Sequence, residues 1–412
     1  MENNNPTNDQ LAQECFFEGL NEFWRGQYKK AVEHYKESVK YKPDNAFVYY
    51  NMGIAYIAWK IRFKTAIECF GKAIKSFKKA IKLNPDYADA YFKMGIAYQK
   101  LNGQYDKAIE CYKKAVKLKP DYADAYFNMG IAYYVWKGQY EKTIECFEKT
   151  IELKPDYADA YFNMGIAYRN WNGQYLKAIE CFEKVVELNP DSAKAYFNMG
   201  IAYRNWNGQY EQAIECYKKV VELKPDLAEA YFNMGIAYSD WDGQYKKAAK
   251  CFREAIKLKP DYADAYFNMG VVYHNWGGQY KLAIKRFNKV IELKPDSADA
   301  YYNMGVAYYY LKKQYEKSIE CFEKAVEYKP DFADAYFNMG EVYSKMKQQY
   351  EKTIECWQKV VELNPNSAEA YFNMGVAYGK KGDEKQGIDY IKIAAQLGDK
   401  DAKKWLKENG YW

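Results

Sequence analysis

Asn128, Asn163, Asn198, Asn233, Asn268, Asn303 and Asn338 stand 35 residues apart, each directly before a Met-Gly pair. Asn51 and Asn373 repeat the pattern, and Lys93 interrupts it. A primary amide donates and accepts at once, so each could match the N–H and C=O of an extended chain in bidentate fashion. A ladder of them would read polypeptide backbone and not side chains. The alternative is that the amides hydrogen-bond along their own scaffold. Asn is a poor residue for a helix interior, which favours a role beyond the helix.

The other reactive groups point away from catalysis. Cys111, Cys146, Cys181, Cys216, Cys251, Cys321 and Cys356 share one repeat position, and Arg286 takes the slot between Cys251 and Cys321. An intervening helix should hold equivalent positions beyond the about 7 Å between Cα atoms that a disulfide tolerates. With no C-x-x-C and only His34 and His274 for imidazole, no metal site is expected. The cysteines read as small buried apolar residues in a reducing, cytoplasmic setting. No phosphate loop, G-x-S-x-G or cofactor motif occurs, so no cofactor and no enzyme activity are expected.

Charge and hydropathy exclude further classes. The formal charge is +6, but 61 basic and 55 acidic residues are interspersed, unlike the basic stripe of a nucleic-acid binder. No apolar run reaches the roughly 18 residues of a membrane span, and the Met-Glu-Asn-Asn-Asn-Pro start lacks the features of a secretory signal.

What positions these residues is the repeat itself. The glycines from Gly95 to Gly375 recur every 35 residues, a period that means a stacked solenoid. Within residues 123 to 157, Ala125, Tyr126, Met129, Ala132, Tyr133 and Trp136 mark one amphipathic helix, A. Gly138 breaks it. Tyr140, Ile144, Phe147, Ile151 and Leu153 mark a second, B, which Pro155 ends, leaving Asp156 to cap the next helix. Gly130 within helix A costs about 1 kcal/mol relative to Ala. Close approach of helix B is the compensating reason.

Tyr161, Met164-Gly165, Tyr168, Ala178, Phe182, Val185 and Pro190 together resemble the tetratricopeptide repeat, and the resemblance covers about residues 12 to 398. That family's usual period is 34. The extra residue here sits in the corner between helices, except in the first and last units. A 35-residue period also invites comparison with pentatricopeptide repeats, but the residue pattern is the tetratricopeptide one. The expected fold is all-α, a right-handed superhelical solenoid of eleven antiparallel hairpins over residues 11–398. A disordered lead occupies 1–10 and a capping helix and tail occupy 399–412. Between Gly53 and Gly95 seven extra residues repeat Ala66-Ile67 as Ala73-Ile74 and Ala80-Ile81, which predicts a lengthened helix B over about 64–83.

The resemblance implies that A helices line a concave groove and that the Asn row faces it. Phe127, Phe162, Phe197, Phe232 and Phe267 lie beside the ladder. Ile131, Ile166, Ile201, Ile236 and Val271 lie one turn on, either facing the groove or packing A helices together. Asp89, Asp124, Asp159, Glu229, Asp264, Asp299, Asp334 and Glu369 give the rim acidity, which opposes nucleic acid. Residues that vary where the rest is copied include Arg169, Arg204, His274 and Tyr309, and the two arginines could pair with a ligand carboxylate or phosphate. The Lys-Asn-Lys-Arg clamp that holds chaperone tails in this family is missing. Trp136, Trp171, Trp206, Trp241 and Trp276 read as buried corner hydrophobes. The expected function is a non-catalytic scaffold for an extended protein or peptide ligand, with no nucleic acid and no membrane. The alternative is a homo-oligomer that stacks end to end.

Overall fold

The computed structural model describes residues 6–59, 63–101, 103–241, 243–311 and 314–411. Every regular element among them is an α-helix. The contacts divide the chain into two units, Met1–Asn207 and Gly208–Trp412. The first holds α1 (Asn8–Trp24), α2 (Tyr28–Tyr41), α3 (Ala46–Trp59), α4 (Phe63–Leu83), α5 (Ala88–Lys100), α6 (Tyr105–Leu118), α7 (Ala123–Val135), α8 (Tyr140–Leu153), α9 (Ala158–Asn170), α10 (Tyr175–Leu188) and α11 (Ala193–Asn205). The second holds α12 (Tyr210–Leu223), α13 (Ala228–Asp240), α14 (Tyr245–Leu258), α15 (Ala263–Asn275), α16 (Tyr280–Leu293), α17 (Ala298–Tyr310), α18 (Tyr315–Tyr328), α19 (Ala333–Lys345), α20 (Tyr350–Leu363), α21 (Ala368–Lys381), α22 (Glu384–Gln396) and α23 (Lys400–Glu408).

Within each unit the odd helices up to α21 are the A members of hairpins and the even ones the B members. In the first unit each B helix packs on the A helix before it and on the A helix after it. In the second, α12 packs on α13, and each of α14, α16, α18 and α20 packs on both its neighbours. Successive A helices also approach one another, from α5 to α11 and again from α13 to α19. The A side is therefore the crowded inner side of each unit.

The mid-helix glycines let an aromatic ring of helix B lie on the backbone of helix A. A Cβ on Gly165 would sit 2.7 Å from Cε1 of Phe182, and one on Gly95 would sit 2.5 Å from Cε1 of Tyr112. Phe182 and Tyr112 are wholly buried. The corners explain the long period. Lys137 (φ 63°) and Gly138 (φ 56°) are left-handed in succession, as are Asn172 and Gly173, whereas the shorter first corner uses Gly26 alone.

Three expectations need correction. Residues 8–10 belong to the first hairpin and not to a lead: Thr7 caps α1 through a capping box with Gln10, while residues 1–5 lie outside the described ones. Asp156 does not cap α9. Tyr157 holds that position without a side-chain cap, its ring stacked on Phe127 of the preceding hairpin at 4.9 Å. Packing there replaces a cap that would contribute about 1 kcal/mol. The corner tryptophans Trp136, Trp171 and Trp276 are only half-buried, and Trp276 stacks on Tyr273. In the lengthened hairpin, α4 has 21 residues against 14 in α6, and Phe70, Ala73, Ile74 and Phe77 continue its buried face. The side chains of Ala66 and Ile67 lie outside the described residues.

Candidate functional site

The core claims Ala125, Met129, Gly130 and Ala132 of α7, which leaves Phe127, Asn128 and Ile131 half-buried on its other side. The amides are not idle there. Asn128 Nδ2 donates to the Asp124 carbonyl at 2.8 Å, four residues back. Asn163 does the same to Asp159, Asn198 to Lys194, Asn233 to Glu229, Asn268 to Asp264 and Asn303 to Asp299, all at 2.7–2.8 Å. Asn338 departs from the row and donates to the Tyr302 hydroxyl at 2.8 Å, one hairpin upstream. One N–H of each amide is thus spent on the scaffold, and the side chain is pinned in one orientation. On Asn128, Asn163, Asn268 and Asn303 that leaves Oδ1 and one N–H for a ligand.

The phenylalanines are also shared with the scaffold. Phe127 contacts Phe147 of its own hairpin at 5.7 Å as well as Tyr157 of the next. Phe232 is held in the same way between Phe252 and Tyr262, and Phe162 and Phe267 meet Phe182 and Phe287. Phe197, in the same row, is likewise half-buried. Ile236 and Val271 pack against a core cluster, so the aliphatic row joins neighbouring A helices. The stripe offers ring edges and half-exposed aliphatic carbons, not a bare apolar surface.

Arg169 is engaged within the protein. Its Nη1 donates to Oδ1 of Asn198 at 2.6 Å, joining the variable position of one hairpin to the ladder of the next. Arg204 occupies the matching place on α11 and also has partners within the protein. The rim acids are partly neutralised: Lys154 Nζ donates to Asp124 at 3.1 Å and Lys294 Nζ to Asp264 at 3.0 Å. Tyr122 donates to Asp89 at 2.7 Å.

The second unit adds residues that the row-by-row reading overlooks. Glu341 stands in the slot that Ile131 and Val306 fill elsewhere. With Tyr309, Tyr310 and Asn338 it lines a cavity of about 30 Å³. With Lys345, Tyr350, Asn373 and Lys380 it lines another of about 170 Å³. Tyr309 and Tyr310 meet edge-on at 5.1 Å, Tyr310 stacks on Tyr280, and His274 abuts both Tyr280 and Tyr310. Burial lowers the His274 pKa, keeping the ring neutral beside its aromatic neighbours. The signal for Glu341 was a single charged residue in an otherwise aliphatic row.

Among the described residues no group of three His, Cys, Asp or Glu could hold a metal, and no helix is long and apolar enough to cross a membrane.

The TPR repeat family model matches ten segments, residues 19–58, 70–102, 101–135, 134–170, 172–205, 207–240, 242–277, 276–312, 309–347 and 346–382. A second tetratricopeptide repeat model matches 368–397. No curated protein sequence matches the chain. Among solved structures, MamA is 32% identical, with 40% of this chain and 95% of that one covered and a TM-score of 0.37. YrrB, described as a TPR protein with an unusual peptide-binding site, is 28% identical over 47% of this chain and 96% of that one, with a TM-score of 0.40. The C-terminal part of a TPR repeat-containing protein from Cytophaga hutchinsonii is 20% identical over 60% and 97%, with a TM-score of 0.51, which supports the fold alone. With family models matching nearly the whole helical array, the chain belongs to the tetratricopeptide repeat family of protein-interaction scaffolds.

Proposed function

We propose that the A side of each unit holds an extended polypeptide, gripped at its backbone by the asparagines and flanked by the phenylalanine edges. The row of amides pinned by their own helices carries this reading. A side chain already fixed loses little freedom on binding, so its remaining N–H and Oδ1 are preorganised for backbone groups. Glu341 stands half-exposed beside Tyr309 and Tyr310 at the mouth of a cavity too small for a side chain. It would attract a basic side chain of that ligand across the surface, since a carboxylate and an aromatic ring both attract a cation.

The test uses the full chain and a peptide selected on it from a random library, with Asn268, Asn303 and Asn338 changed together to Ala. Ala favours the helix, so the fold should persist. Three lost hydrogen bonds at about 0.5–1.5 kcal/mol each predict an affinity loss of roughly tenfold to a thousandfold. Unchanged affinity in a folded triple variant would refute backbone capture by the amides. Glu341→Gln should weaken only peptides that carry Lys or Arg.

A further inference from the structure

The B side of the second unit carries an unbalanced charge. Helix α14 has Lys246, Lys247, Lys250, Arg253 and Lys257 against Glu254, and α16 has Lys281, Lys285, Arg286 and Lys289 against Glu292. Helices α12, α18 and α20 of the same unit each carry more acidic than basic residues. In the Ile-Glu-Cys-aromatic stretch that most B helices share, α16 reads IKRF, with Lys285 for the common Glu and Arg286 for the common Cys.

That exchange places charge where seven of the other hairpins bury a thiol, Cys111, Cys146, Cys181, Cys216, Cys251, Cys321 and Cys356. The slot faces the preceding B helix at a fixed register: Cys146 feels Lys113, Cys181 feels Glu148 and Cys356 feels Glu323, each 33 residues earlier. The same register sets Arg286 opposite Arg253, cation against cation. The Arg286 guanidinium lies 5.9 Å from the Tyr273 ring centre, and its Nε is buried without a hydrogen-bond partner. No carboxylate among the described residues lies within ion-pair distance of Arg253, Lys281, Lys285 or Arg286. A buried guanidinium N–H left unpaired is costly, and the cost is relieved by an anion.

A surface cavity of about 420 Å³ opens on this spot, lined by Tyr266, Lys281, Lys285, Arg286, Lys289 and Glu292 among others. Lys281, Lys285 and Lys289 follow one another at four-residue steps and share one helix face. The one acid in the lining, Glu292, is occupied by Lys289 at 2.6 Å.

We propose that Arg286 anchors a phosphate site on the B side of the second unit, which takes the dianion of a phosphate monoester. A phosphate monoester carries about −1.5 to −2 charges and three acceptor oxygens at pH 7, so it answers several cations where one carboxylate answers one. The planar guanidinium fork supplies paired donors and the lysines supply charge. The cavity is large enough to admit a phosphorylated side chain. The cavity itself offers four cations, Lys281, Lys285, Arg286 and Lys289, fewer than the many phosphate contacts that carry nucleic-acid affinity.

Calorimetry on the full chain at low salt tests this with four probes: a phosphoserine peptide, its unphosphorylated form, inorganic phosphate and polyuridylate. The phosphopeptide should bind and its serine form should not. Arg286→Cys restores the residue of the other hairpins, so the variant should melt at or above the native temperature while losing roughly tenfold or more in affinity. Arg286→Lys should lose part of that affinity, and Lys281→Ala with Lys285→Ala should lose severalfold and flatten the salt dependence. Inorganic phosphate that binds as tightly, through Arg286, supports the site and identifies free phosphate as a sufficient ligand. The proposal is overturned if neither phosphate probe binds, if Arg286→Cys leaves affinity unchanged, or if polyuridylate outbinds the phosphopeptide.

Discussion

The ring-on-glycine contact is the smallest unit that the whole array repeats. Ala is favoured over Gly in a helix by about 1 kcal/mol, but the Cβ of Gly165→Ala would meet the Phe182 ring at 2.7 Å. Overpacking a closed core costs about 1–3 kcal/mol, so the substitution should lower stability. Phe182→Leu makes room, and the pair should couple in a double-mutant cycle read by thermal denaturation. The thiols carry a second prediction at this scale. Burial pushes Cys111, Cys146, Cys181, Cys251, Cys321 and Cys356 from 9.0 up to about 12. Their folded values are raised, so the stability they contribute is complete below pH 9 and is lost as pH rises toward 12. The melting temperature should therefore fall over that window, less steeply when several of these cysteines are replaced by Ala. The same thiols should resist alkylation at neutral pH until urea is added.

At the scale of the helical hairpin, the corner shows how one residue lengthens the period without disturbing the packing. Two successive left-handed residues absorb it in corners such as Lys137-Gly138 and Asn172-Gly173, while in the corner before α20 Gln348 alone is left-handed and bears the strain. Gln348 has φ 57° at the place that Gly138 and Gly173 fill. The left-handed penalty is roughly 1–2 kcal/mol and the extra chain entropy of glycine offsets about half of it. Gln348→Gly should therefore stabilise by up to about 1 kcal/mol, measured by chemical denaturation. The hairpins and the glycine contact were legible because each follows from a local period of apolar residues and breakers. The division of labour on the A side was not. A Phe at one repeat position reads equally as groove lining or as packing, and only the next hairpin's Tyr157 on Phe127 decides its share. Likewise the sequence alone leaves Arg169 open to a ligand, whereas the stacking of hairpins brings its partner Asn198, 29 residues on, into reach.

At the scale of the molecule, an array of near-identical units must stop somewhere. Each hairpin presents to its neighbour the surface that the neighbour presents to the next, so an uncovered end is a ready site for another copy. In the second unit α23 covers that surface. Leu406 and Ala402 are wholly buried against Ile391, Ala394 and Ala395 of α22, while Lys403, Lys404, Lys407 and Glu408 remain on the helix's polar side. Asp399 secures its start by accepting from the Ala402 N–H at 2.7 Å. Deleting residues 399–412 should strip this cover and leave an apolar surface of the kind that drives association. Light scattering over a range of concentrations should find the full chain at one mass and the truncated chain growing with concentration. Leu406→Asp should mimic the truncation while keeping chain length, which separates loss of the cover from loss of the tail. If the full chain itself grows with concentration, α23 does not act as a stop, and end-to-end assembly becomes the working state of the scaffold.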